Sequence, residues 1–206
     1  MQKLNSLLFV VLCALVGTTA FAQTYPNKPI KLVVPFPVGG GTDIFARTVG
    51  QALTDTFKWT VVPDNKPGAG GQIGAAAVAK AAPDGYTLML DASSFAVNPS
   101  LYPKLPYEPM KAFKPVGVVA LFPNVVLVNA NFSAQSVPDL ISAAKKSKDA
   151  VSYASSGNGS AQHLAGALFE SATGADMVHV PYKGGGPALN DVMGGQLPML
   201  FASLIT

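Results

Sequence analysis

Residues 30–34, with Ile30, Leu32, Val33 and Val34, run directly into Pro35-Phe36-Pro37-Val38-Gly39-Gly40-Gly41-Thr42-Asp43. Beyond that stretch Ile44, Phe45, Val49, Ala52, Leu53 and Phe57 recur at helical spacing. The order dictates a strand, a tight glycine loop and the start of a helix. Glycines tolerate positive φ and let a ligand approach the backbone. The free N–H groups of the first helical turn then face that ligand, backed by the positive end of the helix dipole. The pattern points to a small anion site made mostly of backbone, with Gly40, Gly41, Thr42 and Asp43 at its centre. The same composition also suits a strand-to-helix turn that binds nothing.

The rest of the chain repeats this grammar. A short strand over 59–62 opens into a second glycine-rich loop, 63–71, and a helix over 72–81 follows. A turn at Pro83-Asp84-Gly85 leads to a strand over 86–90, which ends in Asp91-Ala92-Ser93-Ser94. Strand and helix alternate with short connections, which argues for a parallel sheet covered by helices. Ligands of such sheets sit at the C-terminal strand ends, and Ser93 and Ser94 stand on that edge. Asp91 is most simply a strand-end cap. Prolines crowd 98–115, which reads as an irregular connection, and 116–130 is rich in β-formers but interrupted by Pro123. It fits two shorter strands better than one central strand.

A second unit follows: a helix over 137–147 capped by Ser136, a strand over 151–154, a glycine-serine loop over 155–160 and a helix over 161–172. A strand over 177–180, a glycine loop over 181–187, a short helix and a strand over 197–202 complete it. The expected division is a first lobe over 23–120 and a second over 121–206. The apolar end at Leu204-Ile205-Thr206 reads as an interrupted second lobe.

At 206 residues, 49% hydrophobic and 12% charged, the chain is globular. Met1-Gln2-Lys3, the apolar run 7–16 and Ala20-Phe21-Ala22 together make a secretory signal peptide over 1–22. The apolar run is too short to span a bilayer. Cys13 lies within it, so the mature chain has no cysteine for a disulfide or a thiolate metal site. Its net charge is then one below the +3 of the whole chain, which gives no support to nucleic-acid binding.

Known nucleotide motifs fail. There is no Walker loop, no dinucleotide fingerprint and no G-x-S-x-G elbow. Two distant histidines and scattered acids make no metal-ligand spacing, and no cofactor is expected. Ser160 and His163 could be proposed as a nucleophile and its base, but the simpler reading makes Ser160 an N-cap and places His163 on the first turn. Arg47 is the one arginine, four residues after Asp43, and the two should pair. A carboxylate ligand would therefore be held by backbone N–H groups of 40–43 and 157–160 with nearby hydroxyls, rather than by a guanidinium clamp. Phe36 either packs on a ligand body or staples the loop. Tyr182 and Lys183 either close over the ligand or are ordinary loop residues, and Asp43 either contacts the ligand or only complements the dipole.

These motifs resemble the Bug (Bordetella uptake gene) receptors, the periplasmic solute-binding proteins of tripartite tricarboxylate transporters. The resemblance rests on Tyr25-Pro26-x-Lys28-Pro29-Ile30 with Val34–Asp43, on Asn65-Lys66-Pro67-Gly68-Ala69-Gly70-Gly71-Gln72-Ile73-Gly74 and on Ala82-Pro83-Asp84-Gly85-Tyr86-Thr87-Leu88. Ser155-Ser156-Gly157-x-Gly159-Ser160-x-x-His163-Leu164 and His179-Val180-Pro181-Tyr182-Lys183-Gly184-Gly185 complete it. It implies a two-lobed α/β periplasmic-binding-protein fold of type II character, with parallel-sheet lobes, a cleft between them and an incomplete second lobe. It implies a non-enzymatic, monomeric periplasmic receptor that captures a small carboxylated ligand and delivers it to membrane transporter subunits. Loops matching 39–43, Ser93-Ser94 and 155–163 would line the cleft, bringing in Ser156 and Gly159. A sensor feeding a membrane kinase, and a secreted Ser/His hydrolase, are the alternatives.

Overall fold

The structure is a computed structural model and describes residues 24–146 and 151–205. The expected signal peptide lies outside the described residues. β1 (Ile30–Val34), α1 (Gly41–Phe57), β2 (Val61–Asn65), a 3-10 turn (Ala69–Gly71), α2 (Gln72–Ala79), β3 (Thr87–Met89) and α3 (Ser94–Leu101) form the first unit. Its sheet is parallel, in the order β2-β1-β3. β1 is central because four of its five residues are apolar and all four are buried. Leu32, Val34 and Ala46 make the local core, with Phe36, Val61, Leu88 and Leu90 packed on it.

The second strand lies two residues further along than the sequence predicts and contains Pro63. Pro63 is tolerated because β2 is an edge strand that pairs only with β1. The proline-rich segment is not wholly irregular, since α3 occupies 94–101 with Pro99 inside it. Val97 N–H to Ser93 O (3.2 Å) and Tyr102 N–H to Asn98 O (3.0 Å) bracket the bond that Pro99 cannot make. Of the expected strands over 116–130 only β4 (Asn124–Val128) forms. Val116, Val118 and Leu121, ahead of it, are 92%, 82% and 89% exposed, so no sheet face recruits that segment.

After β4 come α4 (Val137–Lys146), β5 (Ser152–Ser155), α5 (Ala161–Thr173), β6 (Val178–Pro181), α6 (Gly185–Met193) and β7 (Met199–Ser203). The second sheet has the order β4-β7-β5-β6. β5 runs parallel to β6 and β7, but β4 is antiparallel to β7, with Val126 opposite Phe201. The second sheet is thus parallel except at its β4 edge. β4 arrives by a long connection and not by a crossover helix, so the βαβ rule does not fix its direction.

β5 and β7 are buried on both faces; β7 accordingly reads as an almost continuous apolar run, whereas β5 carries serines at both ends. Tyr153, Met199 and Phe201 point into one cluster with Leu140, Ala144 and Met177, and Phe169 packs on it. Ala154, Leu200 and Ala202 point the other way, onto Ala188 and Val192 of α6. A fully buried Leu or Phe side chain contributes about 1.5–3 kcal/mol, so this double-faced core anchors the loops at the strand ends. On α5, a Cβ at Gly166 would lie 2.4 Å from the Tyr153 ring, so only glycine lets that helix settle on the tyrosine.

Candidate functional site

The loops at the C-terminal ends of both sheets meet. A Cβ built on Gly184, before α6, would stand 3.0 Å from Pro37 in the β1–α1 loop. One on Gly159, before α5, would stand 2.8 Å from Leu101 of α3, and one on Gly70 would stand 3.3 Å from the Asn158 carbonyl. Ile205, just past β7, approaches Gly41 at 2.8 Å on the same measure. Strand ends of an α/β sheet are where ligands bind, and here two such edges oppose one another.

The β1–α1 loop is held by Asp43. Its carboxylate is buried and accepts from Gly39 N–H (2.9 Å), Arg47 Nε (3.0 Å) and Asn65 Nδ2 (2.9 Å). Asn65 also donates to the Phe36 carbonyl (3.0 Å), so the end of β2 clamps both limbs of the loop. Burial opposes the Asp43 charge, but the hydrogen bonds from Arg47, Gly39 and Asn65 outweigh it and hold the carboxyl below its ordinary value. The expected Asp43–Arg47 pair is present. Both Asp43 oxygens are engaged by the protein, which makes it a positioning residue for the loop.

That clamp does not reach the first turn of α1, where Ile205 packs on Gly41. Gly40 is the helix N-cap and provides no side-chain cap. Ile44 N–H bonds to Gly40 O, and among the described residues the N–H groups of Gly41, Thr42 and Asp43 have no protein acceptor. Gly40 and Gly41 are buried and Thr42 is half-buried. The start of α6 is built alike: Gly184 caps it without a side-chain bond, and Pro187 in its first turn has no N–H. The sequence singles out Tyr182 at this loop, whereas the free N–H groups belong to Gly185 and Gly186. Tyr182 itself turns away, donating its hydroxyl to Asp191 of α6 at 2.5 Å. This contact pushes the phenol up to about 12.

The 155–160 loop differs, because its own side chains satisfy much of it. Gly157 N–H bonds Ser155 Oγ (3.1 Å), Gly159 N–H bonds His163 Nδ1 (3.1 Å) and Ser160 N–H bonds Gly157 O (3.2 Å). The expectation that the N–H groups of 157–160 all remain available is thereby corrected, since only Asn158 in that run has no protein acceptor. Ser156 donates to Gln162 Oε1 (2.6 Å), and Ser160 caps α5 by accepting from His163 N–H (3.2 Å), as its spacing predicts. His163 Nδ1 accepts a hydrogen bond, so the ring proton of the neutral imidazole sits on Nε2.

The His163 ring stacks on His179 with centroids 4.0 Å apart, and His179 stacks in turn on Tyr153. His179 Nε2 is 2.6 Å from Ser155 Oγ. Burial holds His179 down, and the neighbouring His163 adds to this, bringing it to about 4; burial also lowers His163. The loop thus rests on a column of neutral rings. The sequence places Ser155 in a cleft-lining loop and His179 in a motif, but not their pairing, which depends on β5 and β6 lying side by side.

The remaining expected residues fall on both sides of the surface. Ser93 is exposed at the start of α3, while Ser94 is fully buried and reaches Asp91 Oδ1 at 3.5 Å. Phe36 packs on the first core, as a staple does. Asn98 was also missed. It is buried, donates to the Gly70 carbonyl (3.0 Å) and holds the 3-10 turn against α3.

Against known proteins, a family model described as tripartite tricarboxylate transporter family receptor matches residues 45–206. BugT of Bordetella pertussis is 44% identical over 176 residues, covering 84% of this chain and 54% of that protein. The solved periplasmic binding protein BugD is 39% identical with a TM-score of 0.83, over 88% of this chain and 61% of that one. The R. palustris protein Rpa4515, solved with adipate, is 37% identical with a TM-score of 0.84, over 87% and 60%. The chain therefore spans little more than half the length of these relatives. It belongs to the tripartite tricarboxylate transporter receptor family.

Proposed function

We propose that this protein is a periplasmic receptor that captures a small carboxylated compound and passes it to the membrane subunits of a tripartite tricarboxylate-type transporter. It acts by binding and not by chemistry, as a monomer, with the two sheets as lobes dividing near residue 120. The observation that carries this reading is the pair of uncapped glycine helix starts, Gly40 before α1 and Gly184 before α6, on loops that touch. A carboxylate placed there meets unengaged N–H groups and two helix dipoles, and Arg47 is already tied to Asp43. The adipate bound by Rpa4515 is an acid of the class this arrangement suits.

The hydrolase alternative finds no support in the geometry. Ser160 Oγ bonds the His163 backbone, not its ring. Among the described residues the one serine hydroxyl that meets an imidazole, Ser155, has no exposed surface, so no substrate reaches it.

Isothermal titration of the chain against carboxylic acids and their matched amides tests the proposal. The acids are expected to bind and the amides to fail. Gly40→Val is the useful variant, because Gly40 has φ −76° and a Cβ there meets only the Pro37 carbonyl, at 3.4 Å. It should abolish binding and leave the fold intact. Equal binding of acids and amides, or full affinity in Gly40→Val, refutes the assignment.

A further inference from the structure

Three acidic side chains at the C-terminal edge of the first sheet have different surroundings. Asp43 is closed into three hydrogen bonds, and Asp64 on β2 lies between Lys31 (3.8 Å) and Lys66 (3.4 Å). Asp91, two residues past β3, has no such partner. Its Oδ1 accepts from Ala92 N–H at 2.7 Å and lies 3.5 Å from Ser94 Oγ. Among the described residues no protein donor reaches Oδ2, and no lysine, arginine or histidine pairs with the group.

Its position is on the same strand-end edge as the β1–α1 loop. Leu90 N–H bonds Val33 O at 3.0 Å, which puts Asp91 one strand spacing from Val34 and Pro35, where that loop begins. A Cβ on Gly71 would meet both carboxylate oxygens at 3.6 Å and Pro35 at the same distance, so the carboxylate packs across the turn that opens α2. The residue as a whole is half-buried. An uncompensated carboxylate opposes an anionic ligand unless that ligand brings a donor of its own.

Resting on the receptor reading above, we infer that Asp91 accepts a hydrogen bond from a hydroxyl or ammonium group carried beside the ligand's carboxylate. The receptor then selects hydroxy- or amino-substituted acids over their unsubstituted parents. Burial pushes Asp91 up to about 7, in keeping with a carboxyl group that has no cationic neighbour among the described residues. Of the elements packed against it, Ser94 of α3, Gly71 at α2 and Pro35 after β1 bring no ionisable group. Tyr107, in the connection after α3, is the titratable neighbour that senses its charge.

The test is isothermal titration of the full chain at pH 8 with matched series: succinate, malate and aspartate; adipate, 2-hydroxyadipate and 2-aminoadipate; phenylpropionate, phenyllactate and phenylalanine. In the series that binds, the substituted acids should bind about tenfold tighter or more than the parent, as a hydrogen bond to a charged group allows. Asp91→Ala, which removes the acceptor, should bring them down to the parent. The ammonium preference should fade as the pH is lowered through about 7, where Asp91 takes up a proton, and Asp91→Ala should show no such change. If the parent acid binds as tightly as its derivatives, or Asp91→Ala keeps the preference, the inference fails while the receptor reading stands. If no acid in any series binds, both fall.

Discussion

Replacing Asp43 by Ala removes one carboxylate that holds three donors at 2.9–3.0 Å. Arg47 is half-exposed and can rehydrate, so its loss contributes little. Asn65 Nδ2 keeps its bond to Phe36 O but loses the stronger, charged acceptor, and Gly39 N–H loses its only partner. A hydrogen bond to a charged group contributes about 1.5–3 kcal/mol when buried. With Gly39 open to water, the two together come to about 2–4 kcal/mol. For a chain of this size that lowers Tm by roughly 5–12 °C. Asp43→Asn should cost less, because the amide oxygen still accepts, although its NH2 faces the Asn65 donor. The pH dependence supplies an internal control. The folded-state carboxyl lies below its ordinary value, so its contribution is complete above the unfolded value near 3.8 and is lost as pH falls through the folded one. The gap between wild type and Asp43→Asn should therefore close in acid. Thermal unfolding followed by circular dichroism measures both. A Tm for Asp43→Ala within 2 °C of wild type would refute the view that this carboxylate holds the loop.

Two further outcomes follow from the second sheet. Gly166→Ala places a methyl 2.4 Å from the Tyr153 ring, and forcing that overlap apart should cost about 1–3 kcal/mol in urea unfolding; an unchanged midpoint would show that α5 shifts freely. The stacked imidazoles are held below the ordinary histidine value of 6.5, so the unfolded chain binds more protons, and stability should fall as the pH drops from about 6.5 towards 4. Between pH 7.5 and 5 the wild-type Tm should decline more than that of a His163→Gln/His179→Gln variant, and parallel profiles would exclude the pair as the cause.

Much of the fold was legible because the signals are local. Residues 30–34 form β1 as read, and Ser160 caps α5 by the spacing that singled it out. Gly174, with φ 67°, ends α5 where the glycine stood in the sequence. What was not legible depended on partners. Pro63 argued against a strand until β2 proved to be an edge. Pro99 disguised α3, because a helix of two turns tolerates one missing N–H that periodicity cannot see. β4 could not be told from 116–122 by composition, as both are apolar and β-branched, and only 124–128 finds β7 to pair with.

The site divides along the same line. The groups that would touch a carboxylate are backbone N–H groups, which every residue except proline carries, so the sequence marks them only by the lack of a side chain at Gly41, Gly185 and Gly186, Gly40 N–H being taken by the Pro37 carbonyl at 3.3 Å. The groups that aim them, Asp43, Asn65, His163 and His179, have recognisable side chains, but their roles emerge only when β1 lies beside β2 and β5 beside β6. Asp43 illustrates this: in the sequence an acid at a glycine loop fits a ligand contact or a first-turn acid equally, and only the structure shows its oxygens bonded to Gly39, Arg47 and Asn65. Contact and support should therefore separate by experiment. Gly40→Val should remove binding with little change in Tm, whereas Asp43→Ala should lower Tm first and weaken binding only through the loop it releases. If Asp43→Ala instead abolished binding at an unchanged Tm, its carboxylate would be a contact after all, and the division between aiming side chains and binding backbone would be wrong for this loop.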